Sequence, residues 1–291
     1  MTSRTLGYLQ LIGSGFCFGF LGFFGKTAYQ AGISPQELLA LRYTLSTLLM
    51  GALLFVYDRQ QFRLSPKLAL ISMALGIFGY ALFSSLYFQT LTQVSASITV
   101  LLLYTFPFFV YLGDLFFMQQ RFAWKSLATL ALSLLGMIFL VWGEWHVSSP
   151  WYLLLGLGSA FFYAIYILIS RKALQSTPPL ISSFYVQLGA GLVLSAVAFS
   201  SLDRPLLLIS QHGVQLFSMA FICSVLAMSL FLLGLQKVSP TEASILSTTE
   251  PLAGVIIATT LLGERLQLLQ YLGGIILITS VALLTLQYSK K

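Results

Sequence analysis

The chain has 291 residues, of which 58% are hydrophobic and only 8% are charged, whereas an ordinary soluble domain carries roughly 25% charged residues. A soluble protein of this composition would expose large apolar patches to water and aggregate, so the composition excludes a soluble globular domain. The formal net charge is +7. Its lysines and arginines are spread over short segments and form no stripe, which argues against a nucleic-acid partner.

Long stretches without charge predict membrane-spanning helices. The longest runs from Leu68 to Gly113, 46 residues; as one helix it would measure about 69 Å, more than twice the ~30 Å hydrocarbon core of a bilayer. It must therefore turn back once. No span shows the period-two alternation of a barrel strand, so we predict an all-α polytopic membrane protein. The ten predicted helices lie near residues 7–29, 35–57, 68–91, 95–118, 124–142, 150–170, 180–201, 213–236, 240–262 and 267–287.

The positive charges orient these spans. With the amino terminus in the cytoplasm, the inner side holds eleven of the fifteen Lys and Arg residues, and the outer side holds Lys26, Arg204 and Arg265. Cytoplasmic loops of membrane proteins carry such an excess. We therefore expect a multi-pass protein of the inner (plasma) membrane with both termini in the cytoplasm. The first apolar region, about 20 residues long, exceeds the length of a signal-peptide core, so we expect it to remain in the mature protein.

Two parts of the chain resemble each other. A comparison of residues 85–121 with 229–265 gives nine identities, among them a proline and a Val-Ser pair. We therefore predict two five-helix repeats, residues 1–145 and 146–291. Because five is odd, the second repeat enters the membrane from the opposite side. Inverted repeats of this kind are common in secondary transporters, whose substrates bind at the interface between the repeats.

A family resemblance rests on three features of the sequence. Helices four and nine begin with Val-Ser and contain a mid-helix proline, residues 261–266 read LLGERL, and the last helix carries glycines. This pattern resembles the EamA-type members of the drug/metabolite transporter superfamily, although the first repeat has Gln119-Gln120 in place of Gly-Glu. The resemblance covers nearly the whole chain. It implies ten helices, cytoplasmic termini, a central cavity lined chiefly by helices one, three, four, six, eight and nine, and usually export of amino acids or related metabolites.

Pro107 and Pro251 lie inside predicted helices four and nine. Proline removes a backbone donor and clashes with the carbonyl four residues earlier, and in lipid that carbonyl must face protein or a wet cavity. We therefore predict helix kinks at both prolines, which serve either a cavity or packing alone. Polar side chains near them line the cavity or hydrogen-bond neighbouring helices. They are Ser97 and Tyr104 in helix four, and Ser244, Ser247 and Thr248 in helix nine.

Glu250 stands where the first repeat has Phe106 and lies ten residues into its helix, about 15 Å deep and close to the membrane midplane. An ionised carboxylate there costs at least ~2.5 kcal/mol, so it must be partnered, hydrated or protonated. Three roles remain open: a proton carrier, a contact for a substrate ammonium group, or a structural acceptor. Arg42 in the second span raises the same question, and Glu37 is a candidate local partner.

Five tyrosines complete the predicted site. They offer hydroxyls and flat faces to a zwitterion with an apolar side chain, although a single tyrosine in a membrane protein more often packs or anchors at the interface. Helix one carries Gly15, Gly19 and Gly22 on one face, which permits a close helix neighbour or leaves space for a ligand. The tyrosines are Tyr80 and Tyr87 in helix three, Tyr104 in helix four, and Tyr163 and Tyr166 in helix six.

Catalytic residues, metal ligands and cofactors are not predicted. The two histidines lie in or beside loops, the two cysteines lie inside spans, and no Gly-rich phosphate loop occurs, so an enzyme is disfavoured. We predict a secondary, non-ATP transporter of small metabolites in the lipid bilayer, first of all a monomeric exporter of amino acids that works by alternating access, with protons as a candidate coupling ion. Import or facilitated passage of a nucleoside, vitamin or cofactor precursor, and a non-transporting receptor or assembly subunit, remain alternatives.

Overall fold

The computed structural model describes residues 2–57, 64–117, 122–143, 147–173, 177–200, 203–263 and 265–289, without the side chains of 96, 97 and 287–289. Within these ranges the chain is helical, and the sole β-type pairing there is an isolated bridge between Val94 and Val147. The predicted all-α class is confirmed.

Each of the ten predicted spans corresponds to a helix. In the described residues, nine helices are long and apolar enough to cross a membrane. The remaining one, α5, has 17 residues, the lower limit for a span of the hydrocarbon core. The helices are α1 Ser3–Gln30, α2 Pro35–Tyr57, α3 Pro66–Leu91, α4 Ala96–Leu103 with Phe106–Phe117, α5 Trp124–Leu140, α6 Trp151–Ala173, α7 Pro179–Ala198, α8 Asp203–Leu235, α9 Pro240–Leu246 with Thr249–Leu261, and α10 Leu268–Ser289.

Helix α8 begins ten residues before the predicted start of its span at 213. Asp203 and Pro205 occupy the first helical turn, where an acidic residue and a proline both favour helix initiation. The added segment bends at His212, whose φ is −125° and ψ is 21°. Its Leu208 is buried in a cluster with Phe24 of α1. The extra turns therefore cover the carboxyl end of α1.

Helices α4 and α9 are both interrupted part of the way along their length. The first ends at Leu103 and resumes at Phe106, just before Pro107, and the second resumes at Thr249, just before Pro251. Proline cannot donate to the carbonyl four residues earlier, so the ladder of backbone bonds is broken there. Both repeats thus contain a discontinuous helix at the same place.

A second irregularity also occurs once in each repeat. Residues Leu75–Ala81 of α3 and Phe221–Leu226 of α8 form π-helical turns. Such turns are rare and often occur at functional sites. In α8 the N–H of Ala227 bonds to the carbonyls of Ile222 and Ser224. The two π-helical turns widen corresponding helices of the two halves.

The two repeats are interleaved through their first helices. Helix α1 packs on α8 and α9, and α6 of the second repeat packs on α3 and α4 of the first. The contacts are matched in detail. A Cβ placed on Gly13 would lie 3.5 Å from Leu230, and one placed on Gly158 would lie 3.5 Å from Leu86. Close helix approach at small residues is typical of membrane interfaces, and the main hydrophobic core combines residues of both repeats.

Candidate functional site

Glu250 is the second residue of the carboxyl-terminal half of α9, immediately after the helix break. It is partly buried. Its carboxylate interacts with the Tyr104 hydroxyl, which comes from the corresponding break in α4. The partial positive charge of a helix amino terminus favours a carboxylate in the first turn. The interruption of α9 therefore supplies part of the environment that an intramembrane carboxylate requires.

Four of the predicted tyrosines lie in one aromatic cluster beside Glu250. The Tyr80 ring centroid is 5.0 Å from that of Tyr166 and 6.4 Å from that of Tyr163. Tyr163 also contacts Phe106 at 4.7 Å, and Phe106 contacts Tyr104 at 5.8 Å. All four tyrosines are buried. The cluster joins α3, α4 and α6, and Glu250 interacts with two of its members, Tyr104 and Tyr163.

Tyr87 lies outside this cluster but close enough to Glu250 for an electrostatic interaction. Its ring contacts Phe88 at 5.4 Å, and the residue is partly exposed. The side chain of Ser97 lies outside the described residues. The structure therefore brings together four of the predicted tyrosines beside Glu250, with Tyr87 at the margin of the cluster.

The hydroxyl groups predicted on α9 are engaged within their own helix. Ser244 donates to the Thr241 carbonyl at 2.9 Å, Ser247 to that of Ala243 at 2.9 Å, and Thr248 to that of Ile245 at 2.7 Å. A side chain that bonds back to its own helix has no donor left for another group. These three residues can still accept a hydrogen bond, and their assignment to the cavity stays a prediction.

The glycine face of α1 contacts α9 directly. A Cβ on Gly15 would clash with Thr249 and lie 3.1 Å from the backbone nitrogen of Glu250; one on Gly19 would lie 2.7 Å from the Ala253 Cβ. A Cβ on Gly22 would meet no atom within 4 Å. Gly15 and Gly19 thus permit close helix packing beside Glu250, and Gly22 leaves open space.

Arg42 and Glu37 do not form the local pair that the sequence suggested. Glu37 instead accepts from Arg204 Nε of α8 at 2.8 Å. Arg42 points away from the helix end and donates from Nε to Ser224 Oγ at 2.8 Å and from Nη2 to the Cys223 carbonyl at 3.1 Å. The local pairing was wrong because α8 extends to Arg204, which competes for Glu37 from another helix.

The position of Arg42 makes it part of the site. Its guanidinium carbon lies 4.7 Å from the ring centroid of Tyr43, and the Tyr43 ring is 5.6 Å from that of Tyr80. Arg42 interacts electrostatically with Glu250, yet no ion pair joins them in the described part of the chain. Arg42 was not predicted to belong to the site, although its charge within a span needs a partner, and Tyr43 was not predicted either. The signal available was a charge inside a span.

A resident metal has little support from the side chains present. Among the residues that the structure describes, no group of three His, Cys, Asp or Glu side chains is arranged to hold an ion. The site therefore offers one carboxylate, one guanidinium, tyrosine hydroxyls and aromatic faces. Such groups suit the recognition of a small charged organic molecule, in which polar groups fix orientation and aromatic faces surround the rest.

Known proteins resemble this chain in sequence and in fold. The profile of the EamA-like transporter family matches residues 5–142 and 150–286. An uncharacterized transporter of Bacillus subtilis (strain 168), YcbK, is 25% identical over 267 residues, which cover 88% of this chain and 85% of that protein. An uncharacterized transporter of Archaeoglobus fulgidus is 25% identical over 211 residues, 72% of this chain and 74% of that protein.

A protein of known crystal structure shares the fold, with a TM-score of 0.82 over 99% of both chains at 16% sequence identity. At that identity the likeness concerns the fold alone. The family profile covers both repeats with a short gap between them, and it agrees with the repeated discontinuous helices and the helix packing described above. The chain is a multi-pass membrane transporter that belongs to the EamA-like transporter family.

Proposed function

We propose that this transporter is a secondary carrier that exports amino acids or closely related small zwitterions by alternating access. Its two repeats, 1–145 and 146–291, tilt against each other around a site at Glu250. It works as a monomer in the inner (plasma) membrane with both termini in the cytoplasm. Protons are the proposed coupling ion, because a carboxylate that binds an ammonium group in one state can bind a proton in another.

The pair of discontinuous helices carries this proposal. In secondary transporters, substrate and coupling-ion sites lie near the bilayer midplane at the repeat interface and are formed by interrupted helices. Here the breaks of α4 and α9 contribute Tyr104 and Glu250, which interact across the repeat boundary. A static receptor has no need for two matched breaks, whereas a carrier needs helix halves that move separately.

The chemical asymmetry of the breaks supports a zwitterionic substrate. The position that Glu250 occupies in α9 is taken in α4 by Phe106, which is buried against Tyr163. One half thus contributes a negative charge, and the other contributes apolar and aromatic surface. A carboxylate together with aromatic faces binds an ammonium group by charge and by cation–π attraction. An amino acid with an apolar side chain presents both kinds of group.

Flux measurements in proteoliposomes test the proposal. Purified protein is assayed with a panel of amino acids, nucleosides and vitamins, with and without a pH gradient. We expect flux of amino acids with apolar side chains, accelerated by a gradient that drives protons in the opposite direction. Flux confined to nucleosides or vitamins would contradict the substrate class. Binding of a compound without any flux would support a receptor instead.

A further inference from the structure

We propose that Arg42 binds the carboxylate of the substrate, so that Arg42 and Glu250 hold the two charged ends of one zwitterion. The inference rests on the proposed function and identifies the residue that recognises the carboxylate of the substrate. It concerns a residue on α2, a helix that the family resemblance does not place among those lining the cavity.

The guanidinium is buried and forms no ion pair with an acidic side chain in the described residues. Arg42 is 5% exposed. A guanidinium carries five N–H donors, but the hydrogen bonds to Ser224 and to the Cys223 carbonyl use one on Nε and one on Nη2, and Nη1 makes none with the residues that the structure describes. A buried charge without an opposite charge is strongly unfavourable. Glu250 interacts with the guanidinium without forming an ion pair in the described part of the chain, so Arg42 lacks a hydrogen-bonded anion, and a bound carboxylate supplies it.

The protein holds the guanidinium in a fixed position from two sides. The π-helical turn of α8 offers the Cys223 carbonyl and the Ser224 hydroxyl to it. The ring of Tyr43 lies under its other face, with the guanidinium carbon 4.7 Å from the centroid. A planar fork fixed in this way is prepared for a carboxylate, which it binds through two parallel hydrogen bonds. The irregular turn in α8 thus has a role: it provides the carbonyl that orients Arg42.

Glu250 supplies the complementary half of the recognition. Its carboxylate interacts electrostatically with Arg42 without forming an ion pair in the described part of the chain, so the two opposite charges are near each other but are not joined. An α-amino acid carries its ammonium and carboxylate groups on one carbon and can bridge them. An amine would leave Arg42 without a hydrogen-bonded anion, and a carboxylic acid without the amine would leave Glu250 without a hydrogen-bonded cation. A site with buried polar groups rejects analogues that lack their partners.

Three related compounds test this assignment in proteoliposomes: phenylalanine, phenethylamine, which lacks the carboxylate, and 3-phenylpropionate, which lacks the amine. The aromatic surroundings of the site motivate the choice of phenylalanine. For the unmodified protein we expect phenylalanine flux at least about tenfold above that of either analogue. In Arg42→Gln, phenylalanine flux should fall by about tenfold or more while the slow phenethylamine flux stays within about twofold, because only the carboxylate contact is lost.

Two further variants make the result decisive. Arg42→Lys keeps the charge but loses the planar fork, so we expect a raised KM for phenylalanine with a smaller change in kcat. Arg204→Gln removes an arginine that lies 46% exposed at a helix end, and its phenylalanine flux should be unchanged. If Arg42→Gln fails to fold, Arg42→Lys carries the test.

Several outcomes would overturn the assignment. Equal losses of phenylalanine and phenethylamine flux in a folded Arg42 variant would show that Arg42 only supports the structure. Equal flux of phenylalanine and phenethylamine in the unmodified protein would show that the carboxylate is not recognised, while the carrier function itself stands. Absence of flux for every amino acid would instead contradict the proposed function, and this inference with it.

Discussion

Helices α2 and α9 begin with the same sequence pattern at opposite ends of the protein. Ser34-Pro-Gln-Glu37 and Ser239-Pro-Thr-Glu242 both form capping boxes, in which the serine and glutamate each bond to the other's backbone N–H. Proline in the first turn suits a helix start, because its missing donor would be unused there. Each glutamate also receives an arginine from the other repeat: Arg204 binds Glu37, and Arg4 binds Glu242.

The two ends differ in burial. The Glu242 side chain is 2% exposed and accepts from Arg4 through Nε and Nη2, from Tyr8, and from Ser239. Glu37 and Arg204 have side chains that are 14% and 46% exposed. Exposed ion pairs contribute little, whereas removal of one partner from a buried network leaves groups unsatisfied. The same four-residue pattern therefore forms a strong connection between repeats at the α9 end and a weak one at the α2 end.

Replacement of Glu242 by alanine should have the largest effect on stability. Tyr8, Arg4 and the Ser239 N–H lose their acceptor together, and we expect the free energy of unfolding to fall by about 3 kcal/mol. The midpoint of thermal unfolding in detergent measures the change. Glu37→Ala is the matched variant, since it removes a glutamate from the same pattern. Equal losses in the two variants would contradict the comparison.

The close contact of α1 with α9 is tested by Gly19→Ala. The new Cβ would lie 2.7 Å from the Ala253 Cβ and 2.8 Å from the backbone nitrogen of Gly254, so α1 must move away from α9. We expect a loss of about 1–3 kcal/mol, as for other overpacked cores. Gly22→Ala is the control, because nothing lies within 4 Å of its added methyl group. A Gly19 variant as stable as the Gly22 variant would show that the contact is not tight.

The ion pair between Arg204 and Glu37 at the start of α2 is tested by Arg204→Gln. Because the Arg204 side of the pair is 46% exposed, we expect the free energy of unfolding to change by less than about 1 kcal/mol and to depend on salt concentration. Thermal unfolding at low and high ionic strength measures both quantities. A loss as large as that of Glu242→Ala would mean that the two ends are energetically alike.

Single cysteines placed before α3 and before α6 are expected to perturb the protein least. Their labelling identifies which side of the membrane each position faces. Ser65 precedes α3, and Ser148 precedes α6. The charge bias predicts that Ser65→Cys is labelled by an impermeant thiol reagent from the cytoplasm and Ser148→Cys from outside. The Cys17 and Cys223 background is removed first. Labelling of both positions from one side would contradict the proposed topology.

Features that depend on the membrane and on local backbone chemistry could be read from the sequence. Charge-free length predicts the helices, because every backbone group in lipid must be satisfied within a helix. The prolines indicated where α4 and α9 are interrupted, because the missing backbone N–H removes a helical hydrogen bond within one turn of the proline. Glu250 was a candidate because an ionised carboxylate at the membrane midplane is energetically unfavourable unless it is paired, hydrated or protonated. These inferences need no knowledge of which helices are neighbours.

Features that depend on neighbouring helices were missed or left open. Glu37 was paired with Arg42 because they lie on one helix, but Arg204 arrives from an extension of α8. The Ser247 hydroxyl bonds to its own helix, and a sequence does not distinguish that bond from one to an adjacent helix. The hydrogen bond from Arg42 to Ser224 likewise joins two helices that are far apart in the sequence. Long-range packing selects among partners that are equally plausible by sequence.

The measurement that tests the central claim most directly is proteoliposome flux of Glu250→Gln as a function of pH. Glutamine keeps the shape and one acceptor oxygen but cannot ionise. If Glu250 binds the substrate ammonium group or a proton, flux per folded molecule should fall by about tenfold or more and its pH dependence should flatten, with an unchanged thermal unfolding midpoint. Flux and pH profile equal to those of the unmodified protein would contradict the account and leave Glu250 as a structural acceptor.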